Sequence, residues 1–96
     1  MPTLRIEHPI TDYDTWRAAF DRDPVDRRGS GVRRYAIHRP VDDPRYVLID
    51  LDFDTAIEAE RMLARLTDLW RSSVAAPALD GAPQTRVIET TEVVDL

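Results

Sequence analysis

Apolar and charged residues alternate in the stretch Leu4-Arg5-Ile6-Glu7, the period of a strand buried on one side, which predicts a first strand over residues 4–7. The spacing then changes. Tyr13, Trp16 and Phe20 recur at steps of three and four while Asp14, Arg17 and Asp21 fall on the other side, predicting a helix over 13–20. Alternation returns over 32–39 and 45–53, two strands joined through Pro40-Val41-Asp42-Asp43-Pro44. Helical spacing resumes with Ala59, Met62, Leu63, Leu66, Leu69 and Trp70 over 56–70, and 86–94 reads as a last strand. Strand, helix, two strands, helix, strand is the split βαβ, ferredoxin-like α+β order. It predicts a four-stranded antiparallel sheet with both helices on one face, so the other face must meet water, a partner or a ligand.

Local signals set the boundaries. Thr11 or Asp12 can cap the first helix, Pro9 helps end the strand before it, and Pro24 interrupts it or starts an irregular extension. Gly29-Ser30-Gly31 closes that segment. Thr55-Ala56-Ile57-Glu58 has the capping-box spacing, and Glu58 with Arg61 and Arg65 with Asp68 are spaced to pair along the second helix. Residues 72–83, with Pro77, Gly81 and Pro83, read as a loop with a short helical turn at 74–78. A hairpin centred near residue 42 would oppose Ile37 to Val47 and Tyr35 to Ile49 on an apolar face continued by Leu51, Phe53, Leu4, Ile6 and Ile88. The same register opposes Arg34 to Asp50 and His38 to Tyr46. The second face gathers Arg5, Glu7, Arg34, Asp50 and Asp52 around Ala36, Tyr46 and Leu48.

With 96 residues and no repeat or linker, the chain is expected to be one domain over 1–96. A chain of this length buries roughly two-thirds of its unfolded surface, so one modest core is available, and a site shared with a second copy would draw less on it. The absence of cysteine excludes disulfides and thiolate metal sites. With no secretory leader pattern and no apolar run near the length of a membrane span, a soluble cytoplasmic protein is expected. The net charge of −5 argues against nucleic-acid binding, and all 13 cations are arginine. Arg27-Arg28 and Arg33-Arg34 are flanked by acids and read as solvated or salt-paired charge.

The opening strand with DYDTWRAAFD (12–21), RPVDDPRYVLIDLDFD (39–54) and PQTRVIE (83–89) together resemble the dimeric α+β barrel superfamily of antibiotic-biosynthesis monooxygenase-type proteins. The chain looks especially similar to small actinobacterial proteins loosely called cyclases. The resemblance spans nearly the whole chain and implies a homodimeric α+β barrel closed by the two helix-free sheet faces. Some monooxygenases of the superfamily orient a substrate that itself activates oxygen, with no metal or flavin, through Asn, Trp and His or Arg. This chain has no asparagine; Trp70 is placed to correspond to the Trp, and Arg86 to offer a positive charge to a developing anion. A haem-degrading member would need an axial histidine after the second helix, and none follows His38.

From the residues alone, the two histidines are the candidate general bases. His8 shares strand parity with Leu4 and Ile6, which turns it toward Tyr13 and Trp16; it is either a base in a small-molecule pocket or a hydrogen-bonded strand-end histidine. His38, beside the proline turn, is expected at the surface or a dimer rim. Trp70 either lines that pocket or closes the core, and Arg86 is otherwise a strand-edge ion pair. Asp50 and Asp52 share a face, yet Arg5 and Arg34 can neutralise them. No close-spaced metal-ligand pattern, phosphate loop or nucleophile elbow is present. The site reading is therefore His8 and Arg86 as catalytic groups and Tyr13, Trp16 and Trp70 as walls for a small aromatic or polyketide-like molecule, with no cofactor or metal. A cofactor-independent monooxygenase or cyclase and a non-catalytic dimeric ligand-binding or interaction protein both remain open.

Overall fold

Residues 1–71 and 82–96 are described in the computed structural model of the chain. β1 (Pro2–Pro9) leads through Ile10 to Asp12, whose carboxylate accepts from the Thr15 N–H at 2.8 Å and starts α1 (Tyr13–Asp21). α1 ends where Arg22 caps it and Asp23 turns left-handed at φ 53°, a conformation that a short polar residue tolerates better than most. The segment beyond has no helix or strand. Arg27 reaches back from it and donates to the carbonyl of Phe20 at 2.7 Å, joining the Asp23 N–H, which donates to the same oxygen at 3.1 Å. β2 (Arg34–His38), β3 (Tyr46–Asp52), α2 (Ala56–Trp70) and β4 (Gln84–Glu89) complete the expected order.

The four strands form one antiparallel sheet in the order β2-β3-β1-β4, the ferredoxin-like arrangement that the pattern predicts. Leu4, Ile6, Val47, Ile49, Leu51 and Phe53 turn to the helix-covered face and meet Trp16 from α1 and Ala59, Met62 and Leu66 from α2. α2 lies close along β1 and β4, whereas the α1 backbone makes no comparable approach to a strand. Large aromatic side chains fill the wider gap, and that difference positions the cavity described below. Among the described residues no helix is long and apolar enough to cross a membrane.

The hairpin register departs from expectation by two residues. Tyr35 opposes Leu51 and Ile37 opposes Ile49, so Arg34 faces Asp52 and His38 faces Leu48. A slip of two leaves every side chain on its expected face, so the apolar pattern cannot distinguish the two registers. The turn distinguishes them: Asp43 accepts from the Arg45 N–H at 2.9 Å, and β3 begins only at Tyr46. Arg34 accordingly donates to Asp52 at 2.9 Å, while Arg5 grips Asp50 with two bonds of 2.8 and 2.9 Å.

The last strand is also displaced, spanning 84–89 in place of 86–94. Glu89 pairs with Pro2, where β1 begins, so residues past 89 have no ladder to join. Val87 opposite Leu4 packs on the core, and Ile88, opposite Thr3, lies on the open face. The Thr55 hydroxyl accepts from the Glu58 N–H at 3.2 Å but donates to the Glu58 carboxylate at 3.1 Å, which is half of the expected capping box. Arg65 bonds Ser30 in place of Asp68. The expected turn at 74–78 lies outside the described residues.

Candidate functional site

His8 stands on β1 opposite Val47, two positions beyond Ile6, so the pleat aims its imidazole beneath the helices. Its side chain is 2% exposed. Nδ1 lies 2.9 Å from the Pro9 carbonyl, which can only accept, so Nδ1 carries the proton and Nε2 keeps its lone pair. Burial pushes the imidazole pKa below the usual 6.5, more than the Pro9 bond raises it, and the ring is neutral near pH 7. Among the described residues no hydrogen-bond partner meets Nε2, which leaves that nitrogen for a guest.

The guest's space is a cavity of about 130 Å³ between the helices and the sheet. Ile6 and His8 line it from β1, Ile49 and Leu51 from β3, Trp16, Ala19 and Phe20 from α1, and Leu66, Leu69 and Trp70 from α2. Trp16 and Phe20 form a continuous aromatic wall, their centroids 5.1 Å apart, and the Trp16 ring meets His8 at 6.4 Å. Arg22, Pro24, Val25 and Arg27 line it from the segment after α1, where the exposed Arg22 and Pro24 and the half-buried Arg27 mark its mouth. The Arg27 guanidinium lies 3.9 Å above the Phe20 ring and 3.4 Å from Asp23, and Asp23 also accepts from the Arg27 N–H at 2.9 Å. The bore is therefore apolar, with one basic nitrogen inside and cations at the entrance.

Of the residues singled out by sequence, His8, Trp16 and Trp70 line this cavity. Tyr13 stands behind Trp16 at 5.9 Å, with Arg39 over its ring at 4.4 Å, and buttresses the wall from outside. Arg86 opposes Arg5 on the helix-free face, across the sheet from His8. His38 is exposed, with Nε2 3.7 Å from Asp50. Phe20 is legible only as part of the helix stripe, and Arg22 and Arg27 give no periodic signal because they follow the helix in irregular chain. The one available hint is their position directly after an aromatic stripe.

The helix-free face carries a second ordered set. Arg5–Asp50 and Arg34–Asp52 are joined by Thr3, which donates to Asp52 at 2.6 Å, and by Tyr46, which donates to Glu7 at 2.8 Å. Asp50 is held below the usual carboxylate range chiefly by its hydrogen bond from Arg5. Every carboxylate in this set has a partner, so the two aspartates form ion pairs and are not poised as an acid–base couple. Among the described residues no group of three or more His, Asp or Glu side chains is placed to hold a metal ion.

No family model and no curated protein matches the chain in sequence. Solved structures match its fold. SnoaB, a cofactor-independent oxygenase from Streptomyces nogalater, superposes with a TM-score of 0.74 at 12% identity, over 97% of this chain and 95% of that one. A dimeric ferredoxin-like protein from an uncultured marine organism gives 0.64 at 12% identity over 97% of both chains. An antibiotic biosynthesis monooxygenase gives 0.65 at 11% identity over 96% of this chain and 100% of that one. Identities this low establish a common fold, the one that the sequence resemblance implies.

Proposed function

We propose that the protein binds a small planar phenol in the cavity and oxidises it with molecular oxygen, using no resident cofactor. The observation that carries this reading is His8: a buried, neutral imidazole whose Nε2 lone pair is left to an apolar cavity walled by aromatic rings. A base held neutral at working pH takes a phenolic proton, and the low-polarity surroundings keep the resulting phenolate electron-rich. The phenolate delivers electrons to O₂. One oxygen atom becomes a new ring carbonyl in place of two hydrogens of the keto tautomer, the other leaves with them as water, and phenol plus O₂ gives quinone plus water. Trp16, Phe20 and Trp70 hold the ring, with Tyr13 behind Trp16. An apolar cavity of about 150 Å³ holds benzene, so this one of about 130 Å³ takes a single ring, and a larger ligand extends through the mouth.

The fold shared with an oxygenase described as cofactor-independent supports the reaction class. The open sheet face, with its partnered charges and the exposed Arg86, supports a homodimer closed face to face, as does the fold shared with a dimeric protein. The site of action on this reading is the cytoplasm.

The test is a fluorescence titration of Trp16 and Trp70 with naphthols and dihydroxynaphthalenes, followed by oxygen-electrode measurements on each ligand that binds. Wild type should bind and consume O₂, and His8→Gln should bind but consume it far more slowly. Binding without uptake would assign the protein to the non-catalytic ligand-binding class, and no binding would remove the cavity from consideration.

A further inference from the structure

The cavity has chemically distinct ends. His8 lies at one, beside Trp16; Phe20 follows with Arg27 over its ring, and Arg22, exposed at the end of α1, lines the mouth. The acids around this mouth are committed elsewhere. Asp21 holds Arg17 at 3.1 Å, Asp23 holds Arg27, and Asp26 accepts from the Gly29 N–H at 3.2 Å. The Arg22 guanidinium has no ion-pair or hydrogen-bond partner among the described residues, so the entrance carries an uncompensated positive charge on a protein whose net charge is −5. Within this acidic molecule the mouth is the place at the site that attracts an anion.

We propose that the cavity selects aromatic acids: planar phenols whose hydroxyl reaches His8 while a carboxylate at the opposite end meets Arg22 at the mouth. This rests on the reading of the cavity as a binding site and adds the chemical class of its ligand. The ring lies on the Trp16–Phe20 wall, and the carboxylate stays in the wet mouth, where it keeps part of its hydration and gains a guanidinium partner. Arg27, already bonded to Phe20 and Asp23, adds field more than contacts. A neutral phenol fits the same bore but lacks the anchor.

The probes are 2-naphthol and 6-hydroxy-2-naphthoate, which differ only in a carboxylate placed across the ring system from the hydroxyl. Wild type should bind the naphthoate tighter by about five-fold, the scale of one exposed charge pair, and the margin should shrink as salt is raised. Arg22→Gln should bring the affinity ratio near one, while Arg28→Gln, outside the cavity, should leave it unchanged. Ala19→Phe, which fills the bore, should abolish binding of both probes. Equal affinities in wild type, or a ratio that survives Arg22→Gln, overturns the selectivity and leaves the cavity reading standing. Binding of the naphthoate that persists in Ala19→Phe places it on the surface and overturns it as well. If neither probe binds wild type, the cavity reading and the selectivity fall together.

Discussion

The imidazole of His8 meets the indole of Trp16 edge-on, with ring centroids 6.4 Å apart and planes inclined at 61°. One contact thus fixes the candidate base against the largest buried ring of α1. Its burial makes the folded protein a weaker proton acceptor at His8 than the unfolded chain, whose histidine titrates near 6.5. As pH falls through 6.5 the unfolded chain takes up a proton that the folded one refuses, so stability present above 6.5 is lost until the lower, folded-state pKa is reached. Urea unfolding at pH 7.5 and 5.5 should show wild type losing more stability than His8→Gln over this interval. Equal losses would mean that His8 is not held neutral.

Trp16 and Trp70 should separate in their cost. Trp16 is 5% exposed and bears on the sheet side of α1, so Trp16→Ala should destabilise by about 3–5 kcal/mol. Trp70 is half-buried at the last residue of α2, and Trp70→Ala should cost only about 1–2 kcal/mol while weakening ligand binding. Urea unfolding of both variants makes the comparison, and the reverse order would contradict the packing of α1.

The sheet-face charges test the register. A double-mutant cycle on Arg5 and Asp50 should return coupling of about 0.5–1 kcal/mol in the monomer, since Arg5 is 46% exposed. Arg34 with Asp52 should give less, because Arg34 is 79% exposed. Arg34 with Asp50, the pair of the sequence-derived register, should show none.

Light scattering should give twice the 11.0 kDa chain mass. A monomer that persists at high micromolar concentration would leave the charged face to solvent and remove the dimer proposal.

Asp23 tests the backbone at the mouth. Glycine and alanine at this position both lose the carboxylate that Arg27 uses, but only alanine also bears the cost of φ 53°, so Asp23→Ala should be less stable than Asp23→Gly by about 1 kcal/mol. Thermal unfolding of the two variants reads the difference.

Element order and type were legible because the chain changes hydrophobic period sharply, and His8 could be placed beneath the helices from parity with Leu4 and Ile6 alone. Parity failed where it carries no information. It left the two-residue slip that moved Arg34 from Asp50 to Asp52 undetermined, and counting from Arg86 could not show that β1 begins opposite Glu89, which decides where β4 stops and which way Val87 and Ile88 face. The mouth was illegible for another reason. Arg22 lines the cavity from the cap of α1, past the last residue of the aromatic stripe, and Arg27 does so through a left-handed turn at Asp23 and a side chain returning to Phe20; neither leaves a periodic trace.

That returning side chain ties the doorway to the scaffold. Arg27 cannot swing aside to admit a bulky guest without leaving the Phe20 ring, the Phe20 carbonyl and Asp23 together, while the Asp23 N–H at 3.1 Å keeps that carbonyl bonded. Admission is then metered by the contacts of one arginine as well as by clearance. Slender molecules slip past a closed latch, whereas broad ones must part those contacts and leave the end of α1 in place.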